Sequence, residues 1–206
     1  MEINLKDITP DIRKLYDIKN VLHDQEWLKA ADDFDIYFMY RGLEEKDGIR
    51  YDITVIPSAM LGSEFVKTKG HYHVGEYGEV YTVLEGEAIY LMSRLAGSRV
   101  AGQKTDEIII EDAYAVKAQK GDIVIIPALY GHVTINPSQT KELKMANWVS
   151  PQCKSDYSLY EKMQGACYYY LTTGWTKNSN YKQVPELRFE EPLKSLPENL
   201  NFLKQG

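Results

Sequence analysis

Histidine is scarce in this 206-residue chain: His23, His71, His73 and His132 are all there are. Taken singly, each reads as an ordinary surface or core histidine, but their positions say more. His71 and His73 are two residues apart, so on a β-strand both imidazoles leave the same face. Glu79 opens the next apolar run, and Gly86 follows it at a hairpin. His132 comes after Gly121-Asp-Ile-Val-Ile-Ile-Pro127, a buried strand ending at a turn. Three imidazoles and one carboxylate form a mixed nitrogen and oxygen set suited to divalent iron, manganese, nickel, cobalt or zinc. Four protein ligands on an octahedral ion leave two positions for substrate oxygens or water, which separates a catalytic metal site from a closed structural one. Glu76 also lies near the histidines, but it opens no strand, and it reads as a solvated rim carboxylate. Tyr81 shares a strand face with Glu79, so its hydroxyl either faces the same space or packs in the core.

These side chains need a scaffold that converges them. Residues 9–32 read as mainly helical, with starts at Thr9-Pro10-Asp11 and at Asp24-Gln-Glu-Trp-Leu-Lys-Ala-Ala. From Ile36 the signal changes to short runs rich in Tyr, Ile, Val and Thr, at 36–41, 50–56, 79–84, 87–92, 107–110, 114–117, 122–126, 132–135 and 143–149. Turn residues punctuate them, among them Pro57, Gly62, Gly70, Gly86, Gly121 and Asn136-Pro137. Residues 93–106 carry two glycines and no strand pattern and read as a long rim loop. The polar tail from Thr176, with Pro185, Pro192 and Pro197, reads as an extension wrapping the body or reaching a partner subunit. The expectation is an all-β barrel or sandwich. An N-terminal helical extension over 1–35 precedes a barrel over 36–160, and a C-terminal strand and tail over 161–206 pack on the barrel or on a dimer partner.

Gly121, Pro127, His132 and Asn136 resemble the second sequence motif of the cupins, and His71, His73, Glu79 and Gly86 resemble the first. Leu129 stands where that second motif usually has glycine. The gap from His73 to Glu79 is longer than in most cupins, and it resembles the archaeal-type glucose-6-phosphate isomerases. So do Thr68-Lys-Gly-His-Tyr-His, Gly78-Glu-Val-Tyr, Leu84-Glu-Gly-Glu and Thr54-Val-Ile-Pro57. The resemblance covers about 36–160. It implies a double-stranded β-helix (jelly-roll) barrel holding one divalent metal, iron(II) first, on His71, His73, Glu79 and His132. The implied activity interconverts glucose 6-phosphate and fructose 6-phosphate. Glu79 is then the proton shuttle of a cis-enediol route, unless hydrogen moves as a hydride, and Tyr81 contacts the sugar. Thr54, Thr68, Gly70 and a late tyrosine, Tyr157, are implied at the phosphate, with Lys69 supplying charge. Relatives place a histidine just before the Asp156-Tyr157 pair, where this chain has Ser155.

Composition narrows the alternatives. A net charge of −6 and no Lys/Arg run argue against nucleic acid or an anionic membrane as partner. No apolar run reaches the ~20 residues that span a bilayer, and the first residues lack the apolar stretch of a signal peptide. Cys153 and Cys167 are too few for a disulfide framework and fit reduced thiols in the cytoplasm, although a single bridge stays open. A homodimer is the expected assembly. Two other readings keep the barrel: an oxygen-dependent cupin such as a dioxygenase, and a non-catalytic sugar-binding cupin.

Overall fold

The computed structural model describes residues 3–97 and 107–204. The chain opens with β1 (Asp11–Lys14), a 3-10 segment over Leu15–Val21 and one helical turn, α1 (Gln25–Leu28). Two long strands, β2 (Asp35–Lys46) and β3 (Ile49–Ile56), precede three short ones, β4 (Met60–Leu61), β5 (Glu64–Phe65) and β6 (Tyr72–Val74). Next come β7 (Glu79–Glu85), β8 (Glu87–Leu95), β9 (Ile110–Gln119), β10 (Ile123–Ile126), β11 (Tyr130–Ile135) and β12 (Leu143–Val149). After them lie β13 (Lys154–Asp156), α2 (Ser158–Lys162), β14 (Tyr168–Leu171), β15 (Gly174–Lys177) and β16 (Arg188–Glu190).

Six strands pair in the order β1-β2-β3-β12-β7-β10, and a second sheet runs β11-β8-β9-β16. Both sheets give side chains to one core: Tyr81, Val83 and Met145 from the first, Tyr90, Met92 and Val133 from the second. The fold is therefore all-β, as the strand spacing implies, and consistent with the cupin barrel that the resemblance implies. Leu15, Ile18, Val21 and Leu22 from the N-terminal segment are fully buried in the same core, as is Cys167 near the other end.

Three local features differ from the sequence reading. Asp11-Ile-Arg-Lys is a strand, not the start of a helix. It is an edge strand with mostly exposed side chains, so no apolar period reveals it, and the ladder to β2 supplies its order. The strand expected at 107–110 contributes only Ile110 to β9, which runs on through the acidic pair into 114–117, the pair being neutralised: Arg94 meets Glu111 at 2.8 Å, and Arg188 meets Asp112 at 2.8 Å. The rim loop starts only after Leu95, since Ser93 and Arg94 continue the ladder against Ala113 and Asp112; residues 98–106 lie outside the described residues.

The tail wraps this chain's own barrel. β16 runs parallel to β9, Leu193 exchanges backbone hydrogen bonds with Ile123 at 2.8 and 2.9 Å, and Leu203 is buried against Ile49, Val80 and Ile123. Two glycines are forced. At Gly86, between β7 and β8, φ is +79° and a Cβ would stand 2.4 Å from the Glu142 carbonyl oxygen. At Gly70, φ is +75° and a Cβ would strike Val133 and Tyr160. Leu129 adopts φ +70° without that freedom, at the position where cupins usually carry glycine. No helix among the described residues is long and apolar enough to cross a membrane.

Candidate metal centre and its cavity

Strand register builds the floor of the site. Directly opposed residues of antiparallel strands share a sheet face. One row across the six-stranded sheet therefore reads Met39, Thr54, Met145, Val83; the next reads Asp52, Asn147, Tyr81, Val124; the third reads Arg50, Val149, Glu79, Ile126. Polar residues fall on the inner face of these rows, where an ordinary core would be apolar. The histidines approach from the other side. His71 and His132 exchange backbone hydrogen bonds at 3.0 and 3.2 Å, which stacks their strands beside each other, and His73 follows on β6. One ligand atom from each of His71, His73, Glu79 and His132 lies within 4.8 Å of the others. Glu76 is exposed and outside this group.

The local hydrogen bonds aim the ligand atoms. His73 Nδ1 pairs with the Tyr77 carbonyl oxygen at 2.9 Å, which leaves Nε2 facing Glu79 at 3.5 Å. His132 Nε2 is 3.3 Å from the same carboxylate oxygen, Oε2. Asn147, invisible to the sequence reading, donates from Nδ2 to the other oxygen, Oε1, at 2.6 Å. Oε2 itself is buried and has no hydrogen-bond partner. A buried carboxylate oxygen left bare costs stability unless something cationic satisfies it. The donors present, imidazole nitrogen and carboxylate oxygen, suit a divalent transition metal, so the residues fit such an ion.

Electrostatics agree with that fit. Burial favours the neutral form of Glu79, yet His132 and His73 hold its carboxyl well below the usual range. Burial opposes charge on His73, but Cys153 and Glu79 beside it push it up to about 10. Burial, with His132 and His73 nearby, drives His71 well below the ordinary imidazole value, and burial lowers His132 too. The cluster thus holds one anion, Glu79, with its compensating positive charge on His73, a role that a divalent cation would take over. Burial and Glu79 raise the Tyr81 phenol well above its normal value, so it stays a neutral donor.

Other residues line the same cavity as the histidines. Thr54, Thr68, Gly70, Tyr81 and Tyr157 all line it. Tyr157 sits just before α2 with its ring 5.6 Å from His71, and Ser155 pairs with His73 across β13 and β6. Lys69 is not among the lining residues: its ammonium pairs with Glu161 of α2 at 2.6 Å and stands 5.2 Å from the centre of the Tyr157 ring. The sequence reading missed Tyr37, Arg41, Arg50 and Asp52, which do. Arg50 forks Asp52 at 2.8–3.0 Å, and Asp52 also accepts from the Gly42 backbone at 2.7 Å. Both cysteines are free, Cys153 at the cavity and Cys167 in the core.

A model of the family described as "Glucose-6-phosphate isomerase (GPI)" matches residues 12–186. Among curated proteins, the glucose-6-phosphate isomerase of Thermococcus litoralis is 30% identical over 138 residues, covering 64% of this chain and 65% of that protein. Those of Thermococcus onnurineus and Pyrococcus horikoshii are each 29% identical, covering 61% of this chain and 61% and 62% of theirs. The matched stretch is thus less than two thirds of these relatives' length. Among solved structures, an oxalate oxidase with the substrate analogue glycolate is similar at a TM-score of 0.42 and 14% identity, over 59% of this chain and 54% of that one.

Proposed function

The chain belongs to the glucose-6-phosphate isomerase family, and from that premise we propose that it interconverts glucose 6-phosphate and fructose 6-phosphate using one divalent transition metal. Iron(II) is the first choice, with manganese, nickel, cobalt or zinc as alternatives. The observation that carries the reading is the bare Oε2 of Glu79, between two imidazoles at one end of a polar cavity. His71, His73, His132 and Glu79 would hold the ion. When bound, it supplies Lewis acidity to the carbonyl and neighbouring hydroxyl of an open-chain sugar.

The remaining chemistry falls to the chain. Going from aldose to ketose, hydrogen leaves C2 and arrives at C1, while a proton moves between the two oxygens. Two acids line the cavity, and Asp52 is clamped by Arg50, so Glu79 is the group available to carry the carbon proton in an enediol route. Asn147 holds its Oε1 in place and, by donating to it, weakens it as a base. Tyr81 stays protonated and donates to a sugar oxygen. Thr54, Thr68, Gly70 and Tyr157 receive the phosphate. In a hydride route hydrogen passes straight from C2 to C1 and Glu79 only ligates.

The test compares metal-loaded wild type with Glu79→Gln in a coupled fructose 6-phosphate assay run in D2O. Solvent deuterium in the wild-type product, with a loss of turnover far beyond the loss of metal in the variant, is the enediol result. Near-normal turnover in the metal-loaded variant removes Glu79 as the base. A wild type that isomerises neither sugar with any of the five metals removes the whole reading. We further read the protein as a cytoplasmic homodimer. Its free thiols suit a reducing compartment, and exposed Phe189 on β16 offers apolar contact area.

A further inference from the structure

Arg41 and Arg50 line the cavity, and Lys69 and Arg13 stand behind its Tyr157 wall, 5.2 and 5.9 Å from that ring's centre; three of these four cations are already engaged in ion pairs. Lys69 pairs with Glu161 and Arg50 with Asp52. Arg41 lies at the open rim, 3.5 Å from Asp11, and donates to the Met39 sulfur at 3.1 Å. Arg13 is different. Among the described residues no carboxylate stands within ion-pair distance of it, and its Nε is buried without a hydrogen-bond partner. Its place is set by β1, where it lies opposite Tyr37 and so shares that residue's face. Its guanidinium carbon is 5.9 Å from the centre of the Tyr157 ring.

Tyr37 and Tyr157 both line the cavity, and the Tyr37 hydroxyl accepts from the Lys69 backbone N–H at 3.4 Å, between Thr68 and Gly70. Strand β2 is three strands from β7 in the sheet, roughly 14 Å at the usual spacing. Arg13, one strand further out on β1, therefore stands behind the Tyr37 side of the cavity, away from the strand that carries Glu79. We propose that Arg13 is the charged residue that holds the phosphate monoester of the substrate, the guanidinium being pre-positioned by Tyr37 and Tyr157. This rests on the isomerase reading for its substrate class. Arginine suits the role because its planar fork meets two phosphate oxygens at once and keeps its charge. Arg13 would share that side with Lys69, whose ammonium is 5.2 Å from the Tyr157 ring but is paired with Glu161.

The test uses the metal-loaded protein with Arg13→Gln and Arg13→Lys. It records kcat, KM for fructose 6-phosphate, metal stoichiometry and, by calorimetry, the Kd for inorganic phosphate. Arg13→Gln should raise both KM and the phosphate Kd about 10- to 100-fold, the usual loss of a charge-assisted contact, with metal content and kcat nearly unchanged. Arg13→Lys should recover part of the loss. KM and Kd within twofold of wild type in Arg13→Gln would overturn the proposal, as would losses that track a fall in metal content and melting temperature in both variants. If the wild type fails to isomerise, the isomerase reading falls and the phosphate titration decides alone. Weaker phosphate binding in Arg13→Gln then supports the anchor, whereas equal binding, or none in the wild type, overturns it.

Discussion

Lys67 and Glu79 are both nearly inaccessible charged side chains, 3% and 4% exposed, yet their surroundings are finished differently. Lys67 pairs with Glu64, donates to the Val21 carbonyl at 2.8 Å and sits 5.1 Å over the Tyr169 ring. The second oxygen of Glu64 accepts from the His23 backbone at 3.1 Å. Every charged atom there has a partner from the chain, and the cluster staples the N-terminal segment to the barrel. Around Glu79 one oxygen is held by Asn147 and the other is bare, with three imidazoles converging on the same space. A closed buried charge builds the fold; one left open is a place for something the chain does not supply.

Five substitutions would break or sharpen that contrast. The largest effect is expected from His71→Ala, His73→Ala or His132→Ala, each of which should abolish bound metal and turnover while the barrel still folds, as read by metal analysis and circular dichroism. Full activity with stoichiometric metal in any of them would erase the distinction. Next comes Lys67→Ala, which strands Glu64 and should cost about 3–5 kcal/mol in denaturant unfolding, with metal stoichiometry unchanged in the folded fraction. If it instead lost metal at full stability, the two clusters would not be separate. The smallest is Asn147→Ala, expected to weaken metal affinity about 10- to 100-fold without comparable loss of stability. Unchanged affinity would mean that Glu79 needs no help to present Oε2.

The metal set is legible in the sequence because its spacing does the chemistry twice over. The i, i+2 pair at 71 and 73 fixes a shared face, and Gly86, Gly121, Pro127 and Asn136 mark the turns that return the chain to it. Asn136 has a physical reason to be there, since it is fully buried and donates to the Ile56 and Lys141 carbonyls, tying off the turn after β11. What the sequence hides is whatever depends on register between distant strands. Asn147 lies 68 residues from the carboxylate it holds, and Arg13 meets Tyr37 only through an edge ladder with no apolar period. Lys67 and Glu64 are hidden for another reason, since charged residues in a loop-rich stretch read as solvated until the packing is known. Lys69 shows the reverse case: the motif supplies the cation but not its partner, a carboxylate on a helix the motif does not cover.

The tail has a consequence beyond packing. β10 is the last strand of its sheet, and its sequence is Ile-Val-Ile-Ile. Short, apolar, β-branched and free of charge, it is the kind of segment that recruits identical segments from other molecules when its outer backbone groups are bare. Leu193 occupies part of that edge through its two hydrogen bonds to Ile123, while Lys194 meets Asp122 at 2.7 Å beside it. Leu200 and Leu203 cover the apolar side of the same corner. The last residues therefore act as a guard against self-templated β-aggregation, and a chain clipped upstream of Leu193 would keep its ligand set but expose a sticky edge.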